Sequence, residues 1–234
     1  MAEETSRPLI IGPESGPEAP FPLKMEGKVI SGFGRGSKEV RTTHPQRELS
    51  RRLTPHSHKS EPREANTPQL GIPTANLPVD ATKTPWIDST KSGVYFGWAS
   101  LSLPPSHPDR VAPPPSSGAA PAQPRAEFQL YPMVMSIGYN PFYKNTVRSA
   151  EVHVLHKFTD DFYDSHMRLL ILGFVREEKD YKSLEALVAD INLDCDVARN
   201  SLDRTAWAPP VSLRPGAARD GTLDAAWLVE DLPK

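Results

Sequence analysis

Four short segments of this 234-residue chain carry side chains whose types and spacing suit chemistry. In "SGFGRGSK" (31–38), glycines at 32, 34 and 36 let backbone N–H groups turn toward an anion, and Arg35 and Lys38 add positive charge. The Walker spacing is absent and no helix pattern follows, so these residues taken alone read as a plain hairpin turn. In "GIPTAN" (71–76), Thr74 and Asn76 present neutral oxygens two residues apart, a donor type that suits Mg²⁺. The same pair could serve only a turn, satisfying local backbone groups.

In "AEVHVLH" (150–156), strand alternation sets Glu151 and His153 on the face opposite Val152, Val154 and His156. A carboxylate there is either a general base for a hydroxyl nucleophile or an exposed residue on a solvent face. Asn140, Tyr143 and Lys144 stand in the turn before it. In "GFVREEKDY" (173–181), Arg176, Lys179 and Tyr181 suit a planar polar ligand by charge and stacking, or else form a solvated connector.

These groups need elements to hold them. "KVISGF" (28–33), "GVYFGWASL" (93–101), "MVMSIGY" (133–139), "AEVHVLH" (150–156) and "MRLLILGFV" (167–175) are rich in Val, Ile, Tyr and Phe and bounded by turn residues. Successive strands without helices between them predict an antiparallel sheet or barrel. One helix is clear over 183–202, where Leu184, Leu187, Val188, Ile191, Cys195, Ala198 and Leu202 follow helical spacing. Ser183 is its predicted N-cap and Glu185 suits its first turn, and the outside of the barrel is where its apolar stripe belongs. Residues 1–22, rich in Pro, Gly and Glu, read as a flexible arm, and the proline-rich stretch 104–124 as extended, solvated chain. After 203 the periodicity is lost, although 223–232 suggests a short C-terminal helix.

Twenty-six prolines imply that part of the length is not packed core, leaving one domain. A net charge of −2 lacks the broad basic footprint of a nucleic-acid binder. The single cysteine, Cys195, excludes an internal disulfide framework and sits on the apolar stripe of the helix, where a buried thiol belongs. No apolar run is long enough to span a bilayer, and no secretory signal is read. The expectation is a soluble, intracellular protein.

Taken in order, "GFGRGSK", "LGIPTAN", "SGVYFGWA", "SIGYNPFYKNT", "AEVHVLH", "DFY" and "REEKDY" resemble the riboflavin kinases, which make FMN from riboflavin and ATP. The resemblance covers most of 25–202. It implies a mostly β fold, a six-stranded antiparallel Greek-key barrel with a C-terminal helix packed outside. It further implies a barrel domain over 23–202 with insertions at 40–69 and 104–126, and a tail from 203 to 234.

By the same resemblance, Gly32 and Lys38 contact ATP, Thr74 and Asn76 hold the Mg²⁺–phosphate position, and Val154, His156 and Tyr163 line the adenine side. Glu151 is the implied catalytic carboxylate, acting on the terminal ribityl hydroxyl. Arg176, Lys179 and Tyr181 contact the flavin. Mg²⁺, or Zn²⁺ or Mn²⁺ in its place, is the implied metal, with ATP as co-substrate. The implied partners are riboflavin/FMN and ATP/ADP, with no nucleic acid and no membrane, for a monomer in the cytosol or mitochondrion. A bifunctional FAD-forming enzyme is not expected.

In the family pattern "GRGSKE" runs almost directly into "LGIPTAN", yet here 40–69 intervenes. Either it is a solvated loop, which length alone makes cheap at about 0.6 kcal/mol per doubling, or it is a translated intron. The codons for Val40–Arg41 can begin with a GT splice donor, that for Gln69 can end in the AG of an acceptor, and excision restores the family-like junction. A different class, a β-barrel binding flavin or nucleic acid without catalysis, would use Tyr139, Phe142 and Tyr143 for stacking.

Overall fold

In a computed structural model, residues 7–30, 74–111, 128–139 and 148–232 are described. They form six strands, β1 (Leu23–Lys28), β2 (Ala75–Leu77), β3 (Gly93–Ser102), β4 (Phe128–Tyr139), β5 (Arg148–Val154) and β6 (His166–Arg176), followed by one α-helix, α1 (Leu184–Leu202). All pairings are antiparallel, in the order β1-β6-β3-β4-β5-β2. Within it, β3, β4 and β5 are successive and β6 returns beside β3, which is a Greek key. The sheet curls until its edges meet: just beyond β1, Ile30 bridges Asn76 of β2 through N–O contacts of 2.9 and 3.3 Å. The mostly β architecture with a single long helix is the one the strand runs predicted.

Each face of the sheet has its own apolar layer. Inside the curl, Met25, Leu101, Met133, Ile137, Val152, Met167 and Leu169 pack together. Outside, Phe96, Trp98, Val134, Leu170 and Leu172 meet Cys195, Ala198 and Leu202 of α1 and Trp207 beyond it. β3 and β6 are covered on both faces, so they read as nearly continuous apolar runs, whereas β5 alternates. Burying each large side chain contributes about 1.5–3 kcal/mol. At the tight crossing of β3 and β6, a Cβ on Gly97 would lie 2.0 Å from the Leu170 carbonyl oxygen, at a register shift.

The structure moves several boundaries. The first described strand is Leu23–Lys28, antiparallel to β6 with Lys28 opposite His166, and of the predicted run 28–33 residues 31–33 lie outside the described residues. "GIPTAN", read as a turn, contributes a strand at Ala75–Leu77, paired with β5. β4 begins at Phe128 and runs through Pro132, which lies beyond the last β4–β5 pair and whose carbonyl accepts from Leu155 N at 2.8 Å. In place of the suggested helix at 223–232 there is one 3₁₀ turn, Ala226–Val229. The buried Arg168 donates to the carbonyls of Trp227 and Glu230 beside it.

α1 begins where expected: Ser183 Oγ accepts a hydrogen bond from Ala186 N at 3.2 Å. Its stripe is buried only from Asp194 onward; Leu187 and Ile191 are half-buried and face a cleft. The tail carries core despite its irregularity. Trp207 stacks on Phe96 at 5.7 Å, and Trp98 Nε1 donates to its carbonyl at 2.9 Å.

Candidate active site

Alternation along β5 sends Ala150, Val152 and Val154 into the inner core and leaves Ser149, Glu151 and His153 on the outer face, half-buried. Register then chooses their neighbours. Glu151 stands opposite Ser136 of β4 on one side and Asn76 of β2 on the other. Directly opposed residues of adjacent strands share a face with Cβ atoms about 5 Å apart. Three polar side chains are thus ranked across three strands. Thr74, two residues before Asn76, lines the same cleft as Glu151 and Ser136, a space of about 540 Å³ floored by Val134, Leu187 and Ile191.

Asn76 is 3 % exposed, and its side-chain Nδ2 has no hydrogen-bond partner among the described residues. A buried amide with bonding capacity left over is suited to an incoming oxygen-rich group. Thr74 and Asn76 supply neutral oxygens, a donor type that suits a hard cation such as Mg²⁺ or Mn²⁺. No cluster of three or more His, Cys, Asp or Glu placed to hold a metal occurs among the described residues.

The opposite wall is the end of β6 and the connector to α1. Arg176 grips Asp194 with two nitrogens, Nε to Oδ1 at 3.0 Å and Nη2 to Oδ2 at 2.7 Å. Burial by itself would lower the Arg176 pKa, but the hydrogen bonds and charge of Asp194 raise it. Tyr181 donates to Asp190 at 2.7 Å, and Lys179 forms an ion pair with the same carboxylate. Burial, then the bond to Asp190, pushes the Tyr181 phenol up. Burial also raises the Asp190 pKa, but Lys179 and Tyr181 outweigh it and hold the carboxyl below its ordinary range. The Arg176 guanidinium lies 5.9 Å from the Tyr181 ring centre, so the wall presents a cation beside an aromatic face.

Of the residues singled out in the sequence, the fold brings Thr74, Glu151, Arg176, Lys179 and Tyr181 to one cleft, with Asn76 paired to Glu151 in its wall. Val154 points into the inner core instead. His156 lies against Tyr131 at 4.8 Å and Phe158 at 4.7 Å, and Tyr163 is 40 % exposed; neither lines the cleft. Gly32 and Lys38, with Asn140, Tyr143, Lys144 and the interruption 40–69, fall outside the described residues. Sequence reasoning missed Ser136, Asp190 and Asp194. The available signal was the four-residue spacing of the two acids beside a basic connector.

These features define a small antiparallel β-barrel with a cleft on its outer wall and a carboxylate set into that wall. The flavokinase family model, described as riboflavin kinase, matches residues 62–202, so its match begins inside the interruption. The chain is 59 % identical over 229 residues to riboflavin kinase of Pyricularia oryzae, covering 96 % of this chain and 95 % of that one. It is 48 % identical to riboflavin kinase of Neurospora crassa, covering 96 % and 97 %. The crystal structure of riboflavin kinase from Trypanosoma brucei matches with a TM-score of 0.49 at 23 % identity, covering 81 % of this chain and 85 % of that one. The chain belongs to the riboflavin kinase family.

Proposed function

We propose that this chain carries out its family's phosphoryl transfer, ATP and riboflavin to ADP and FMN, with Glu151 as the general base. The observation that carries the reading is the register Asn76–Glu151–Ser136, which puts a carboxylate beside the neutral-oxygen pair at the cleft. The terminal ribityl hydroxyl is a poor nucleophile. Glu151 Oε accepts its proton as the oxygen bonds to the γ-phosphorus and the bond to the ADP oxygen breaks. Orientation supplies much of the remaining acceleration, since the reaction needs an in-line approach.

Thr74 and Asn76 hold the phosphate end of ATP together with Mg²⁺, which neutralises charge on the phosphates when bound. Gly32 and Lys38 are assigned to the same phosphates. Arg176, Lys179 and Tyr181 take the flavin ring along the opposite wall, by charge and by stacking. Val154, His156 and Tyr163 are assigned to the adenine side; the aromatic grouping of His156 with Tyr131 and Phe158 supports that reading.

Glu151→Gln keeps the size of the side chain and removes the base. Its kcat for FMN formation should fall by about 10²- to 10⁴-fold, while quenching of riboflavin fluorescence shows binding retained. Wild-type chain that quenches riboflavin but forms no FMN with ATP and Mg²⁺ would instead be a flavin-binding barrel. A Glu151→Gln enzyme with undiminished kcat would remove Glu151 from the mechanism.

A further inference from the structure

We infer that Arg7, on the arm before β1, is a positioning residue for the flavin side of the cleft; the inference rests on the assignment of Arg176, Lys179 and Tyr181 to flavin. Asp190 and Asp194 lie four residues apart on α1 and so share a face. Between them they hold all three of those side chains. Arg7 meets both carboxylates as well, pairing with Asp194 Oδ1 and reaching Asp190 Oδ1 at 3.4 Å. Yet Arg7 is not part of the cleft lining. Whatever it does for a ligand, it does through the two acids.

The contact is built rather than incidental. The arm is tied down at the far end of α1, where Ser201 Oγ accepts from Ile11 N at 2.9 Å and Arg204 Nη1 donates to the Gly12 carbonyl at 2.9 Å. Trp207 Nε1 donates to the Pro13 carbonyl, also at 2.9 Å. Gly12 has φ +80°, and a Cβ there would lie 2.3 Å from the Trp207 ring, so only glycine lets the arm settle so close. From this anchorage the chain reaches back along the helix by about two turns to Asp194. There a side chain only 3 % exposed receives two guanidinium groups.

The physical consequence concerns charge and aim. Two carboxylates facing only Arg176 and Lys179 would draw both cations onto the helix. A third cation offsets part of that pull and leaves the cleft side of Arg176 and Lys179 with positive potential for an electron-rich ligand. Charge-assisted bonds are also directional, so a carboxylate fixed by Arg7 fixes the guanidinium of Arg176 in turn.

The test is steady-state FMN formation by the full chain carrying Arg7→Ala, Arg7→Lys or Arg176→Ala. Arg7→Ala should raise KM for riboflavin roughly fivefold while kcat and KM for ATP stay at wild-type values. Arg7→Lys should recover most of the loss, and Arg176→Ala should exceed it. An unchanged riboflavin KM in Arg7→Ala, with Arg176→Ala impaired, overturns the inference and leaves the flavin wall intact. No effect in either variant overturns the flavin wall and the inference with it. Parallel loss in both KM values together with a lower melting temperature would show Arg7 to be merely structural, and also overturns it.

Discussion

Glu151 illustrates how a side chain acquires a role from what stands across the sheet. Alternation along β5 was legible from the residues and so was the face Glu151 occupies, but its company was not, because register between strands far apart in the chain is a tertiary property. Asp194 shows the converse. Amid an otherwise apolar stripe it reads as a solvent-side acid, and only the guanidinium groups packed over it explain an acid so nearly inaccessible. Cys195, its neighbour, was legible: the helical spacing that placed it inward is borne out by 5 % exposure. Burial pushes its thiol up to about 11, so hardly any thiolate exists near neutral pH. Cys195 should therefore resist a disulfide-exchange reagent at pH 8 in the native protein and react fully once unfolded, read by absorbance of the released thiolate. Rapid labelling of native protein would contradict its burial.

Among the elements, legibility followed how much local pattern each one carries. β3 and β6 are long and apolar on both faces, and α1 has five turns of spacing with a capping serine, so all three stand close to their predicted places. β2 has three residues and no pattern of its own; it is a strand because β5 and Ile30 offer its backbone partners. The helical reading of α1 carries an energetic consequence. Ser183→Ala removes the acceptor for Ala186 N, and the cap should be worth about 1 kcal/mol. A urea midpoint lowered without a change in slope would show it. An unmoved midpoint would mean that packing of Leu187 and Ile191 alone starts the helix.

For the molecule as a whole, the bridge between Ile30 and Asn76 bears on the interruption. These residues are hydrogen-bonded neighbours although forty-five positions lie between them in the chain, and excising 40–69 would still leave fifteen residues to join them. We expect a chain lacking 40–69 to fold and to form FMN at least as fast as the full chain, measured side by side at saturating riboflavin. A deletion variant without turnover would show that 40–69 is required. No helix among the described residues is long and apolar enough to cross a membrane. The residues themselves specify a β-rich chain with one external helix, a carboxylate facing outward from β5 and a family resemblance carried by ordered motifs, because period, caps and short motifs are local. The closing of the sheet, the pairing of Glu151 with Asn76 and Ser136, the opening of a cleft over the first half of α1 and the grip of an N-terminal arginine on its acids arise only in three dimensions. Each depends on which distant segments exclude water from one another, and no local pattern records that choice.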